Sequence, residues 1–246
     1  MSNTDLVLIT GASGGIGKVL AALLIEAGWR NIVCQYSTRP DGIADVLSSH
    51  GLDPQERLFR ADLTDETQAA ELHRRIRDAF GSIYGLITLA GASSNSMSWK
   101  LSAAEFRTIL DVNLMSTFLT CREFIPEMRE QARGRIINIS SIVAYTGAAG
   151  TSHYAAAKAA VIGFSKSLAL ELAPKQIAVS VVALGYFQYG LINTIPQEHQ
   201  DRIKSQIPAQ RFGAATELAG LVAYLLNESG AYSGGQVYHL NGGLYT

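Results

Sequence analysis

The chain has few of the residues that mark disulfide frameworks, metal sites or nucleic-acid surfaces. Its two cysteines, Cys34 and Cys121, lie far apart in a chain of 246 residues, so we predict two buried free thiols. The five histidines show no ligand spacing, and we predict no metal site. A net charge of -1 gives no electrostatic case for nucleic acid or an anionic membrane as a partner. The charge is compatible with small neutral or acyl-type substrates.

Long hydrophobic runs are also missing. No apolar stretch approaches the ~20 residues of a membrane span, and residues 1–5 lack the basic start and apolar core of a secretion signal. We therefore expect a soluble, cytoplasmic protein. Because repeats, low-complexity tracts and linkers are absent, residues 1–246 are expected to form a single domain, for which 48% hydrophobic residues supply a substantial core.

What the chain does contain is an alternation of short β-rich segments with longer amphipathic ones. The predicted strands are residues 6–9, 31–36, 57–61, 85–90, 135–140, 178–184 and 236–240. Such alternation predicts an α/β Rossmann fold, a doubly wound, seven-stranded parallel sheet with helices on both faces. Ligands of such sheets bind beyond the carboxyl ends of the strands, where the strand order reverses.

A glycine-rich turn follows the first predicted strand and precedes a helical pattern. Its sequence, residues 10–17, carries Gly11, Gly15 and Gly17. Glycines at such a turn allow a tight bend and let the backbone approach a pyrophosphate at the helix N-terminus. The spacing G-x-x-x-G-x-G differs from G-x-G-x-x-G, and glycine turns also occur without ligands.

A second pattern pairs a phenol with an ammonium. Tyr154 and Lys158 are four residues apart, which places both side chains on one face of a helix. A nearby cation lowers a phenol pKa, so Tyr154 could protonate a developing alkoxide. Taken alone, such a spacing more often marks a solvated helix face.

Five motifs in the same order resemble the short-chain dehydrogenase/reductase family over essentially the whole chain. They are the glycine turn and residues 61–64, 111–114, 138–141 and 154–158. Within that family the chain most resembles the bacterial 3-oxoacyl-[acyl-carrier-protein] reductases. Residues 154–168, 207–213 and 239–245 carry that resemblance.

The resemblance implies a catalytic tetrad of Asn113, Ser141, Tyr154 and Lys158. Ser141, thirteen residues before the tyrosine, would bond the substrate carbonyl, and Tyr154 would donate the proton. Lys158 would lower the tyrosine pKa and hold the nicotinamide ribose, while Asn113 would anchor a water that feeds protons through Lys158. Alternatively, the serine caps a helical turn and Asn113 only ties backbone to backbone. His153 is expected to point away from the catalytic face.

The resemblance also implies a nicotinamide cofactor. The residues expected to bind it are Gly11, Ser13, Gly14, Gly15, Ile16, Gly17, Ser37, Arg39, Asp62, Leu63, Ala90, Gly91, Tyr154, Lys158, Gly185 and Phe187. The second strand ends at residues 35–39 without an acid for a ribose 2′-hydroxyl, whereas Arg39 offers a cation for a 2′-phosphate. We therefore expect NADPH, although Asp41 weakens the argument. Asp62 is expected at the adenine amino group or, alternatively, in a solvated turn.

Four positions depart from the family pattern. Leu89 replaces an asparagine that braces the cofactor, Leu184 replaces a proline, and Tyr189 replaces a threonine on the nicotinamide side. Gly14 stands where NADPH-using reductases often carry an arginine. These changes predict weaker cofactor binding and a specialised reductase.

Together the patterns predict an NADPH-dependent ketoreductase acting on a 3-oxoacyl thioester, held by an acyl carrier protein, in fatty-acid or polyketide-type biosynthesis. A reductase or dehydrogenase of a free alcohol, sugar or steroid, and a non-catalytic subunit of a mixed oligomer, are the alternatives. The resemblance implies a homotetramer, or a hetero-oligomer, that pairs helices around residues 103–131 and 154–173.

Two surface features complete these expectations. Residues 186–197 are expected to form a substrate lid, whose aromatic side chains shape an acyl pocket or simply pack. Three basic residues, Arg133, Arg135 and Lys175, are candidate contacts for an acidic carrier protein, with simple solvation as the alternative.

Overall fold

The structure is a computed structural model that describes residues 4–190, 192 and 196–246. The strands are β1 (Val7–Thr10), β2 (Ile32–Tyr36), β3 (Leu58–Arg60), β4 (Gly85–Thr88), β5 (Gly134–Ser141), β6 (Ile177–Leu184) and β7 (Val237–Leu240). Each predicted strand is present, with ends that differ by at most two residues. The predicted lid falls partly outside the described residues.

The seven strands form one parallel sheet in the order β3-β2-β1-β4-β5-β6-β7. The order reverses between β1 and β4, and this arrangement confirms the predicted doubly wound Rossmann fold. Strands β4 and β6 are buried along their whole length, as their continuous apolar sequences predict.

Helices cover both faces of the sheet. They are α1 (Gly15–Glu26), α2 (Ile43–Ser49), α3 (Pro54–Arg57), α4 (Glu66–Phe80), α5 (Ala103–Leu110), α6 (Ser116–Gln131), α7 (Val143–Thr146), α8 (Ser152–Leu172), α9 (Gln197–Gln206) and α10 (Ala215–Leu226). A π-helical turn, Asp111–Met115, joins α5 to α6, and 3₁₀ turns follow α8 and α10. In the part of the chain that the structure describes, no helix is both long and apolar enough to span a membrane.

Two hydrophobic clusters lie on opposite faces of the sheet. The first packs α1 and α10 against one face, and the second packs α4, α6 and α8 against the other. Both predicted thiols, Cys34 and Cys121, are free and fully buried in these clusters, where burial raises the pKa of each to about 12. Between these two layers, the carboxyl ends of the parallel strands lie along one edge of the sheet.

Candidate active site

The glycine turn sits at the centre of this edge, between the ends of β1 and β4. Gly11 has φ +64°, and a Cβ there would lie 2.6 Å from the Ala90 Cα. A Cβ on Gly17 would lie 2.6 Å from the Gly11 carbonyl oxygen, and one on Gly15 would lie 2.7 Å from the Gly190 nitrogen. Each glycine is therefore required because another stretch of backbone comes too close for a side chain.

Two buried polar side chains hold the turn in place. The Thr10 hydroxyl accepts hydrogen bonds from the nitrogens of Leu89 (3.2 Å) and Ala90 (3.3 Å). The Gln35 side chain accepts from the Gly11 nitrogen at 2.9 Å and donates to the Ala61 carbonyl at 2.7 Å. The Thr10 hydroxyl thus stabilises the end of β4, where the side chain of Leu89 has no amide to do so. Sequence reasoning missed Gln35, whose only signal is a lone amide in an otherwise apolar strand.

The N-terminus of α1 suits an anionic ligand. Gly14 is the N-cap residue, and it has no side chain that could accept a hydrogen bond from the first turn. The first amide groups of a helix point along its axis and carry partial positive charge, so they bind phosphate oxygens well. Ser13 and Ile16, which flank this end, are partly buried. The residues present therefore fit the pyrophosphate of a dinucleotide.

Three predicted catalytic side chains meet beside the turn, at the ends of β5 and the start of α8. The Ser141 hydroxyl hydrogen-bonds the Tyr154 phenol, and the Lys158 Nζ lies 5.8 Å from the centroid of the tyrosine ring. Lys158 is buried and donates to the Ile139 carbonyl at 3.0 Å. The neighbouring Ser140 instead donates to the Lys158 carbonyl at 2.8 Å and so faces the helix backbone.

The expected effect of Lys158 on the tyrosine is wrong in this structure. Burial raises the pKa of Tyr154 above that of an ordinary tyrosine, and the hydrogen bond with Ser141 offsets only part of that rise. Burial also lowers the pKa of Lys158 to about 8. The phenol therefore keeps its proton at neutral pH, while the lysine can lose and regain one near that pH.

Asn113 lies in the π-helical turn and is fully buried. Its Nδ2 donates to the carbonyls of Ala92 (2.8 Å) and Ile109 (2.9 Å), so the amide does tie backbone to backbone. Its Oδ1, however, is buried without a hydrogen-bond partner among the described residues. A π turn is often found at functional sites because it re-aims side chains along a helix.

Gly91 separates Asn113 from Lys158. A Cβ on this glycine would lie 2.7 Å from the Asn113 Oδ1 and 3.4 Å from the Lys158 Nζ. Both polar groups therefore face the same small space at the end of β4. The missing side chain keeps that space open.

His153 has a structural role beside the catalytic face. It is fully buried, and its Nε2 lies 2.8 Å from the Ser94 hydroxyl. Two more contacts join the same segments: the Ser96 nitrogen donates to the Gly150 carbonyl at 2.9 Å, and Ser98 donates to Ser152 at 2.9 Å. These bonds hold the loop after β4 against the chain immediately before Tyr154.

The predicted adenosine end is exposed. Ser37, Arg39 and Asp62 all lie on the surface at the ends of β2 and β3. The Arg39 Nε is 3.6 Å from an Asp41 carboxylate oxygen, and the Arg39 side chain is 81% exposed. The Asp62 Oδ1 accepts from the nitrogen and the hydroxyl of Thr64, at 2.9 and 2.8 Å. Asp62 thus forms a turn, as the alternative interpretation predicts, and remains at the rim.

Other predicted cofactor residues contribute backbone rather than side chains to this edge. The side chains of Leu63 and Phe187 are buried in the core, and a Cβ on Gly213 would touch the Phe187 ring at 2.9 Å. The packing interpretation therefore holds for Phe187.

Gly185 follows β6, and its nitrogen donates a hydrogen bond to the Leu240 carbonyl at 2.9 Å. Tyr189 is 37% exposed.

The candidate carrier-binding arginines are not free. Arg133 makes two hydrogen bonds to Asp5, at 2.7 and 2.8 Å. Arg135 is buried and lies 3.2 Å from Glu228. Both precede or begin β5, so they lie at the opposite edge of the sheet from Tyr154. Neither supports a carrier surface next to the site.

The chain is similar to known proteins over most of its length. A family model described as short chain dehydrogenase matches residues 5–200. The chain is 36% identical over 237 residues to nodulation protein G of Rhizobium sp. (strain N33), covering 96% of this chain and 95% of that protein. It is 35% identical over 241 residues to 3-oxoacyl-[acyl-carrier-protein] reductase FabG of Escherichia coli (strain K12), covering 98% and 97%. The reductase of the same name from Staphylococcus aureus (strain N315) is 33% identical over the full length of both chains.

Proposed function

Because this chain belongs to the short-chain dehydrogenase/reductase family, we propose that it is an NADPH-dependent ketoreductase that converts a 3-oxoacyl thioester to the 3-hydroxyacyl product. The observation that carries the proposal is the meeting of Ser141, Tyr154 and Lys158 beside the glycine turn. The intact trio also argues against a non-catalytic subunit.

The proposed proton transfer follows from the protonation states. Tyr154 keeps its proton because burial raises its pKa, and an alkoxide is basic enough to take that proton. Ser141 would donate a hydrogen bond to the substrate carbonyl oxygen and so stabilise the negative charge that develops there. Lys158, with a pKa of about 8, would return a proton to the tyrosine. Asn113 would anchor a water that feeds protons to Lys158, through the Oδ1 that has no partner among the described residues.

NADPH would supply the hydride that reduces the carbonyl carbon. The first turn of α1 would hold its pyrophosphate, and Lys158 would hold the nicotinamide ribose. Arg39 at the end of β2 supports a 2′-phosphate over a free ribose hydroxyl. The backbone of Ala90 and Gly185 would border the nicotinamide half.

The acyl-carrier-protein-bound substrate is inferred from the names of the two reductases that resemble this chain along its length. Assembly as a homotetramer is proposed on the family resemblance. It is supported by the outer face of α8, where Ala159 is exposed and Leu170 is 80% exposed. The predicted cytoplasmic location and the fatty-acid or polyketide-type pathway stay predictions.

The test is NADPH oxidation by the purified protein, with NADH in parallel, on a short 3-oxoacyl thioester and then on the same acyl group attached to an acyl carrier protein. We expect turnover with NADPH that improves at least tenfold in kcat/KM on the carrier. Activity on the small thioester without a carrier effect would remove the carrier from the proposal.

Two further outcomes would point to the alternatives. Binding of NADPH with no turnover of either thioester would shift the assignment to a free alcohol, sugar or steroid substrate. Failure to bind NADPH or NADH would favour a non-catalytic subunit.

A further inference from the structure

We propose that Arg60, the last residue of β3, binds the 2′-phosphate of NADPH; this rests on the proposed function. The glycine turn, residues 10–17, contains no lysine or arginine, so the cation for a 2′-phosphate lies outside the turn, and Arg60 is a second candidate besides Arg39. Arg60 was not among the residues that the sequence patterns indicated.

Arg60 lies beside the residue at which β2 ends. The register of the two strands pairs Arg60 with Tyr36, and the Arg60 Nε donates to the Ser37 carbonyl at 3.1 Å. Successive side chains of a strand point to opposite faces of the sheet. Phe59 packs in the cluster with α4, so Arg60 projects to the other face, where α1 packs. That face also carries the glycine turn and the first turn of α1.

The guanidinium of Arg60 is held but not neutralised. The side chain is exposed, and among the described residues no carboxylate oxygen lies within 4 Å of it. One of its five N–H groups bonds to Ser37, which leaves the planar pair of Nη groups to bind a phosphate through two hydrogen bonds.

Arg39 is placed less well for the same role. Its guanidinium faces Asp41 at 3.6 Å, and most of its side chain is exposed to water. Part of its charge is thus already balanced, and fixing the side chain on a phosphate would cost conformational entropy. The Ser37 carbonyl has already restricted Arg60, so Arg60 is the better pre-organised cation.

The test measures binding of adenosine 2′,5′-bisphosphate and of 5′-AMP by calorimetry at low ionic strength, which needs no turnover. We expect the unmodified protein to prefer the bisphosphate. Arg60→Met should lower the affinity for the bisphosphate by roughly tenfold to a hundredfold and leave the affinity for 5′-AMP within about twofold. Arg60→Lys should recover part of the loss, because a lysine is a cation without the two-pronged geometry.

Arg30→Met is the matched control. Arg30 is also exposed and donates to a backbone carbonyl, that of His50 at 2.7 Å, but it precedes β2 and so lies at the far edge of the sheet. Its loss should change neither affinity. Arg39→Met should lower the affinity for the bisphosphate less than Arg60→Met does.

The outcomes separate this inference from the proposed function. If the unmodified protein prefers the bisphosphate and Arg60→Met keeps that preference, the inference is wrong and NADPH use stands. An equal loss of both ligands in Arg60→Met would also overturn it, because the residue would then support the whole site. If the unmodified protein binds both ligands equally, NADPH preference itself fails and the inference fails with it.

Discussion

The two ends of the proposed cofactor site are built from the same edge of the sheet but in opposite ways. At the proton-transfer end, Asn113 and Lys158 are buried and bonded to backbone carbonyls. At the adenosine end, Ser37, Arg39 and Asp62 are exposed to solvent. Burial changes pKa values and leaves little room for substitution, whereas exposed charges are screened and act weakly. The two ends should therefore respond very differently to single changes.

Lys158→Met should have the largest effect among the changes that sharpen this contrast. Removing the ammonium takes away the proton supply to Tyr154, and we expect kcat to fall by roughly a hundredfold or more. Lys166→Met, an exposed lysine two turns further along α8, should leave kcat unchanged. If Lys158→Met keeps its activity, the contrast between the buried proton-transfer end and the exposed adenosine end is wrong.

The same variant should be more stable than the unmodified protein at pH 7. A pKa of about 8 in place of 10.5 means that the charged, buried lysine costs about 3 kcal/mol below pH 8. The lost bond to Ile139 offsets about 1 kcal/mol of the gain. Because the pKa is lowered, the cost disappears as the pH rises from 8 toward 10.5, so the higher melting temperature of the variant, measured without cofactor, should be lost over that range. A constant difference would show that Lys158 is not the titrating group.

Gly91→Ala should have the next largest effect. Its Cβ would press on the Asn113 Oδ1 at 2.7 Å and approach the Lys158 Nζ at 3.4 Å. We expect kcat to fall about tenfold, because small displacements of reacting groups are costly, together with a lower melting temperature. Gly220→Ala in α10 is the control: no neighbouring group of the described residues lies within 4 Å of the new Cβ, and the helix should gain about 0.5–1 kcal/mol.

Asp62→Asn should have the smallest effect. The amide oxygen can still accept from Thr64, so the turn survives while the charge at the rim is lost. If Asp62 binds the adenine amino group, the Kd for NADPH, measured by fluorescence titration, should rise a few-fold. An unchanged Kd would leave the turn as the only role of Asp62.

The fold could be predicted closely from the sequence. Strands β4 and β6 are short, continuous apolar runs between helical patterns, which leaves a parallel sheet as the arrangement that buries them. The π turn at Asp111–Met115 could not be predicted, because the side-chain pattern of one long helix over residues 103–131 is nearly the same with or without it.

Within the site, local spacing predicted the pairing of Tyr154 with Lys158 but not their protonation. The raised pKa of the tyrosine comes from burial, which residue spacing within one helix does not specify. Gln35, His153 and Arg60 were missed for the same reason: each makes its contact with a residue more than twenty positions away. Such contacts depend on the register of neighbouring strands and loops, which residue type alone does not specify.

The most direct test of the central claim, that Tyr154 donates the proton, is single-turnover oxidation of bound NADPH by Tyr154→Phe on a 3-oxoacyl thioester. Tyr145→Phe is the control, since burial raises the pKa of this tyrosine too, but its ring packs against the rings of His239 and Tyr245. We expect Tyr154→Phe to bind NADPH normally and to react roughly a thousandfold more slowly, with Tyr145→Phe unaffected. A Tyr154→Phe enzyme that oxidises NADPH at the unmodified rate would contradict the account.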